Sequence, residues 1–240
     1  GKISITGISQ TTYADSGNGV EIGTYGVPTY ATTLTTSNST ASAINITGTG
    51  SSSNTPTNSN GVLLSAKASI LSTNASGGTI NLVGNGNKQG GVYTFVGARV
   101  LSAKGDINIT GSATTDKLNS IALRGAKLGY DTTDITTSSA NINLTSDAMA
   151  IETNSALKTT GTVNLVNKTA GTKIDIGGND VAAATATLGL TNAELNTITA
   201  SKLVIGSASA GDMTVSSVVT TSATSGDVSL LTGGNLSINA

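Results

Sequence analysis

The sequence predicts an all-β protein built as a β-solenoid, a stack of short coils whose strands enclose one continuous core. Three observations predict it. A short strand motif recurs along the chain, a second apolar pattern recurs at nearly constant spacing, and the composition favours strands and turns over helices.

The motif is a small or turn residue, then apolar, polar, apolar, then another turn. It reads GKISITG at Gly1, SAINITG at Ser42, GTINLVG at Gly78, GDINITG at Gly105, ANINLTS at Ala140, GTVNLVN at Gly161, GDMTVSS at Gly211, GDVSLLT at Gly226 and GNLSINA at Gly234. Alternation over so few residues means short strands with one buried face.

The second pattern sets the length of a turn. Val62, Val92, Ile121 and Met149 each open an apolar segment, at separations of 30, 29 and 28 residues by subtraction. Ile70, Val100, Leu128 and Leu157 fill an equivalent slot seven or eight residues further on. The predicted unit is a coil of 28 to 30 residues. One coil buries too little apolar surface to fold alone, whereas stacking at about 4.8 Å per layer closes a core between neighbours. About eight or nine coils make a rod on the order of 40 Å long.

Composition agrees. Aromatic residues make up 2% of the 240 residues and charged residues 10%, and Gly, Ser, Thr and Asn take their place. Abundant Ile, Val and Thr argue against a disordered chain, and the length suffices for a core without disulfides or metals. Thr, Ser, Asn and Gly are poor in helix interiors, and no apolar stripe of period 3.6 is present. The exception is LGLTNAELNTI, where Thr191 and Glu194 form a capping box and Leu190 and Leu195 a hydrophobic staple. One short helical turn is expected near Thr191.

Two stretches are less regular. SSSNTPTNSN, from Ser51 to Asn60, has no apolar residue and contains Pro56, so it reads as a surface loop. The segment Tyr13 to Thr40 carries Pro28 and three of the five Tyr, and reads as an insertion or an extra hairpin. Residues 1–60 are therefore expected to form irregular first coils with loop insertions, and residues 61–240 the regular coils of the same continuous solenoid. The abrupt start at GKISITG and end at NLSINA read as a fragment of a longer repetitive protein.

Together, the GDINITG-like strands and the stretch TLGLTNAELNTITASKLVIGSASAGDMTVSS from Thr187 to Ser217 resemble the repeat region of filamentous-haemagglutinin-like proteins. The likeness is strongest from Gly61 to Ala240. These are large exoproteins of Gram-negative bacteria, commonly exported by two-partner secretion. The resemblance implies a right-handed parallel β-helix, an extracellular or cell-surface location, and a part in adhesion, biofilm or fibre formation. The absence of Cys suits passage of an unfolded chain through an outer-membrane pore, since a disulfide would lock a loop that cannot thread.

Charge and residue inventory exclude several functions. A formal net charge of −1, with twelve scattered Lys and Arg, gives no field to gather nucleic acid. No stretch approaches the roughly 20 apolar residues of a membrane span. With no His and no Cys, histidine triads, thiol nucleophiles and the usual zinc ligand sets are absent.

The carboxylates remain. Asp106, Asp212 and Asp227 each follow a Gly and precede an inward apolar residue, a slot that Asn141 and Asn235 fill elsewhere, so turn chemistry explains them. Asp131 and Asp134 form a close pair in YDTTDITTSS, read as a solvated loop with a weak calcium site as the lesser alternative. The GGND run at Gly177 to Asp180 lacks the spacing and repetition of calcium-binding nonapeptides. Lys104 to Asp106 spells a KGD recognition tripeptide, but supplies the turn before INI. Asn-x-Ser/Thr triplets at Asn38, Asn45, Asn74, Asn108, Asn143, Asn167 and Asn235 occur at the frequency expected from so much Ser and Thr. Asn108 and Asn143 alternate with inward Ile, so they should face outward and stack as an Asn or Thr ladder.

The expectation is a structural or adhesive segment with no catalytic, cofactor-binding or metal-ligating residues. Its partners would be neighbouring solenoid segments, further copies end to end, or surface glycans and proteins of host or bacterium. A polysaccharide-processing β-helix enzyme is one alternative, although Phe95 and five Tyr supply few sugar platforms. An ice-binding solenoid is the other, although Thr clusters in loops such as ATTLTTSNST.

Overall fold

The computed structural model describes residues 1–12, 17–24, 31–53, 58–114, 120–182, 186–220 and 226–240. Pro56, Pro28, Tyr13, Tyr25 and Tyr30 lie outside them. The protein is all-β, of parallel strands in several sheets, with a single one-turn helix at Asn192–Leu195 among the described residues.

While the motifs at Gly211 and Gly234 belong to another sheet, seven of the nine motif strands, together with Lys202–Gly206, form one long sheet. Its eight strands are stacked in chain order: Ile3–Ile8, Ile44–Thr49, Ile80–Gly86, Ile107–Ala113, Ile142–Thr145, Thr162–Val166, Lys202–Gly206 and Asp227–Leu231. Every pair is parallel and places equivalent motif positions opposite one another, as in Ile44↔Ile80 and Ile107↔Ile142. The register follows from the pleat, because a slip of one residue would turn every inward Ile to solvent.

Two shorter sheets occupy the rest of each early coil. The second sheet stacks Val20–Ile22, Val62–Leu64, Val92–Thr94, Ile121–Leu123 and Met149–Ile151. The third stacks Thr32–Thr36, Ala68–Ser72, Arg99–Ser102, Lys127–Gly129, Ala156–Lys158 and Ile198–Thr199. The expected 28- to 30-residue slots are opposite one another here: Val62↔Val92↔Ile121↔Met149 in the second sheet and Ile70↔Val100↔Leu128↔Leu157 in the third. That spacing does not extend along the long sheet. Its neighbouring strands lie as few as 21 residues apart (Ile142↔Val163) and as many as 41 (Ile3↔Ile44), because corner loops absorb the difference.

The cross-section then changes. The second sheet ends at Met149–Ile151, the third at Ile198–Thr199, and a fourth sheet begins opposite the long one. It stacks Thr187–Leu190, Lys173–Ile176, Met213–Val215 and Leu236–Ile238. One hydrophobic cluster nevertheless runs through the whole molecule, from Val20 through Ile80, Ile109, Leu144 and Leu165 to Met213.

A row of glycines closes the corner between the long and second sheets. A Cβ on Gly48 or Gly84 would lie 1.9 Å from the carbonyl oxygen of Gly61 or Gly91 respectively. Backbone therefore meets backbone at that corner, which only glycine permits.

Candidate functional site

The outer face of the long sheet carries the most regular array. Five successive strands hold Asn45, Asn81, Asn108, Asn143 and Asn164 in register, each just after the first inward apolar residue. Each Nδ2 donates to the Oδ1 one layer back: Asn81 to Asn45 at 2.7 Å, Asn108 to Asn81 at 2.8 Å, Asn143 to Asn108 at 2.7 Å and Asn164 to Asn143 at 2.7 Å. The expected ladder is thus an asparagine ladder. Ser4 stands opposite Asn45 at one end and Val204 opposite Asn164 at the other. An amide carries two donors and one oxygen with two lone pairs, so Asn108 and Asn143 each keep a donor and a lone pair beyond the ladder, whereas Asn81 also donates to Ala41 O at 3.5 Å. Beside it runs a β-branched row of Thr6, Thr47, Val83, Thr110, Thr145 and Val166.

The Asp and Asn before each strand behave differently from the turn reading. Asp106 Oδ1 accepts from Asn141 N at 3.1 Å, Asn141 Oδ1 from Thr162 N at 3.0 Å, and Asp212 Oδ1 from Asn235 N at 2.9 Å. Each side chain clamps the equivalent position of the next coil. The KGD tripeptide lies in this arrangement: Asp106 is committed to Asn141, and a Cβ on Gly105 would lie 2.2 Å from Gly78 N.

The Asp131–Asp134 loop is solvated at Thr132, Thr133 and Asp134, but Asp131 is buried beneath it. After Gly129 the chain folds back over the third sheet, and Ile135 packs on Leu71 and Leu101. Arg99, from the coil before, pairs with both carboxylates: its Nη1 lies 2.9 Å from Asp131 Oδ2 and also contacts Asp134 Oδ2, while its Nε donates to Ser69 Oγ at 3.1 Å. Asp131 Oδ1 accepts from Thr133 N and Asp134 N, and its side chain is 1% exposed. Burial alone would push that carboxyl up, but the two N–H groups and the guanidinium hold it below its ordinary value. A fixed cation already occupies the position that the calcium reading left open. Among the described residues, no group of three or more His, Cys, Asp or Glu is arranged around a metal position.

A third cluster marks the end of the second sheet. Asp180, from the GGND run, accepts Met149 N with Oδ2 at 2.9 Å and Gly189 N with Oδ1 at 2.7 Å. Glu194 accepts Ile151 N with Oε1 at 3.0 Å and Thr191 N with Oε2 at 2.9 Å. Thr191 Oγ1 accepts Glu194 N at 3.3 Å, completing the expected capping box, and Leu190 and Leu195 are buried. The last strand of that sheet thus offers its outward N–H groups to two carboxylates rather than to a further strand, an effective way to end an edge. A cleft of about 810 Å³ lies over this edge, with Glu152, Asn154 and Asn179 on its walls.

Asp147 is a structural anchor. It accepts from Lys168 N, Thr169 N, Thr169 Oγ1 and Thr172 Oγ1, which together outweigh burial and hold its carboxyl low. The links of Asp147 to Lys168, Asp180 to Met149 and Arg99 to Asp131 were invisible to sequence reasoning because the partners lie 21 to 32 residues apart. Regular spacing marked the Asn row, but no such signal marks these.

These contacts define a class: an all-β protein of stacked parallel strands whose polar side chains bond from coil to coil. No protein-family model, curated protein or solved structure matches the chain.

Proposed function

We propose that the chain is a right-handed parallel β-solenoid acting as a structural, adhesive segment of a large secreted or surface-exposed bacterial protein, not as an enzyme. Parallel crossovers within a sheet are right-handed in about 98% of cases, which supports the handedness. The observation that carries the mechanical part is the coincidence of one uninterrupted core with an asparagine ladder over five coils. Such a stack adds reach and stiffness by repetition. The adhesive part and the extracellular location rest on the resemblance of the GDINITG-like strands and the Thr187–Ser217 stretch to filamentous-haemagglutinin-like repeats. No described helix is long and apolar enough to cross a membrane.

The non-enzymatic reading is supported by what the carboxylates do. Asp106, Asp131, Asp147, Asp180, Glu194 and Asp212 all accept hydrogen bonds from backbone N–H groups. The aromatic pair is also occupied: Tyr93 is 5% exposed, Phe95 tilts against it at 5.3 Å between centroids, and Arg124 lies 4.8 Å above its ring. Neither ring is an open platform for a sugar.

Binding of the purified chain to glycan arrays and to bacterial and epithelial cell surfaces, beside glycan-cleavage assays, tests the reading. Saturable surface binding without cleavage is expected. Glycan cleavage, or no binding to any surface, would overturn it.

A further inference from the structure

We propose that the outer face of the long sheet binds ice, through two in-register rows of uncharged side chains that hold water at nearly the spacing of its own lattice. The rows lie on the six successive strands from Ile3–Ile8 to Thr162–Val166, none of which turns an ionisable side chain outward. One row is the asparagine ladder. The other is Thr6, Thr47, Val83, Thr110, Thr145 and Val166, every member of which is β-branched. Thr thus recurs at one slot of this sheet, a regularity that Thr-rich stretches such as ATTLTTSNST obscure in the sequence.

Both rows are stiff. β-branched side chains are restricted at χ1, so the second row holds its methyl groups in place. The amides are bonded to one another at 2.7 to 2.8 Å over four consecutive steps. Such a side-chain ladder keeps a sheet flat, since a strong twist would fan the amides apart. No described hydrogen bond engages the hydroxyls of Thr47, Thr110 and Thr145, and Asn108 and Asn143 each keep a donor and a lone pair.

Spacing decides the ligand. Layers repeat at about 4.8 Å along the rod, and residues two apart on a strand lie about 6.6 Å apart. Water oxygens joined by hydrogen bonds of about 2.75 Å at tetrahedral angles repeat at about 4.5 Å, and at about 7.3 Å in the perpendicular direction. Each spacing of the face is within about a tenth of its counterpart in that lattice. Waters held by the free amide groups, and resting on methyl groups that do not compete for their hydrogen bonds, are therefore placed nearly as an ice layer places them. A second copy fits the face less well. The rows cover about 24 Å by 12 Å, and two copies paired through them would bury about 600 Å², the size of a crystal contact and not of a stable dimer. A charged ligand finds no counter-charge on these strands.

The test uses the whole chain, in an osmometer that follows a single ice crystal in its solution. The wild type should facet the crystal and open a gap between melting and freezing points that widens with protein concentration. Thr110→Lys combined with Thr145→Lys puts two charges on the face without removing an amide contact, and should abolish the gap. Thr33→Lys, exposed on the third sheet, should leave it unchanged. If the double variant loses its β-sheet circular dichroism, Thr145→Lys alone takes its place. No gap in the wild type, or a gap that survives the added charges, would overturn the proposal. So would retention on cellulose particles in place of ice with the same loss in the variants, which would assign the face to a neutral polysaccharide. The adhesive reading is independent of this result, because it is read on glycan arrays and cell surfaces.

Discussion

The early coils and the late ones solve the same problem with different numbers of walls. From Ile3 to Lys158 each coil places strands in three sheets, and from Lys202 onward each places strands in two. In the early part the core residues are sealed: Ile44, Ile80, Leu82, Ile107, Ile121 and Leu123 are completely buried. The two-sheet coil seals Leu203, Ile205 and Met213 equally well, at 1% exposure or less, and only in the last layer are Val228, Leu231, Leu236 and Ile238 44 to 69% exposed. The difference teaches that the number of apolar segments per coil sets the cross-section. A coil with a second and third apolar slot, such as Val92 and Val100, closes as three walls. Gly226 to Ala240 has only VSLL and LSI, and stacks as two.

The two ends therefore do not match. The first coil presents strands of three sheets and the last presents strands of two.

The comparison can be broken by mutation. The largest contrast is expected from Leu82→Ala, which removes a wholly buried side chain in the three-sheet part and should cost about 3 kcal/mol of unfolding free energy. Leu236→Ala, at 47% exposure in the last layer, should cost less than about 1 kcal/mol. Denaturant titration compares them, and equal losses would mean the ends are as well packed as the middle.

Arg99→Ala comes next. It leaves Asp131 buried with only backbone donors and frees the loop over the third sheet, at a cost of about 2 kcal/mol at neutral pH. Because the Asp131 carboxyl lies below its ordinary value, its contribution is present above about 3.8 and lost as pH falls through the folded value. The gap between wild type and Arg99→Ala should therefore narrow in acid. Thermal melts across pH check this.

The smaller effects belong to single polar contacts. Thr191→Ala removes the helix cap and should cost about 1 kcal/mol, with added exchange at the Glu194 amide. Asn108→Ala interrupts the ladder at its middle and should cost about 1 kcal/mol, more than Asn164→Ala at its end, where one of the two bonds is missing already.

The legible part of the fold was the part written by period. Strands, their inward faces, the second and third slots, the Asn row and the Thr191 cap all depend on residues close in sequence or repeated at one position. The illegible part depends on which coil faces which. Arg99 reaches Asp131 across 32 residues, which no local pattern marks, and Asp106 bonds a backbone N–H 35 residues on, where turn chemistry pointed to its own backbone. The end of the second sheet was hidden for the same reason. Asp180 and Glu194 look like turn and cap residues until the edge at Met149 and Ile151 is placed beside them.

The register of the stack is the central claim, and the chain has no Cys to confuse a cross-linking measurement. Thr110 stands opposite Thr145, and Val166 lies opposite Thr145 one layer further. With neighbouring layers about 4.8 Å apart, Thr110→Cys with Thr145→Cys is within disulfide reach, and Thr110→Cys with Val166→Cys, at about 9.6 Å, is not. Oxidation of the folded double variants should cross-link the first pair rapidly and leave the second as free thiols. Equal cross-linking of both, or preference for the second, would contradict the stacking of coils described above.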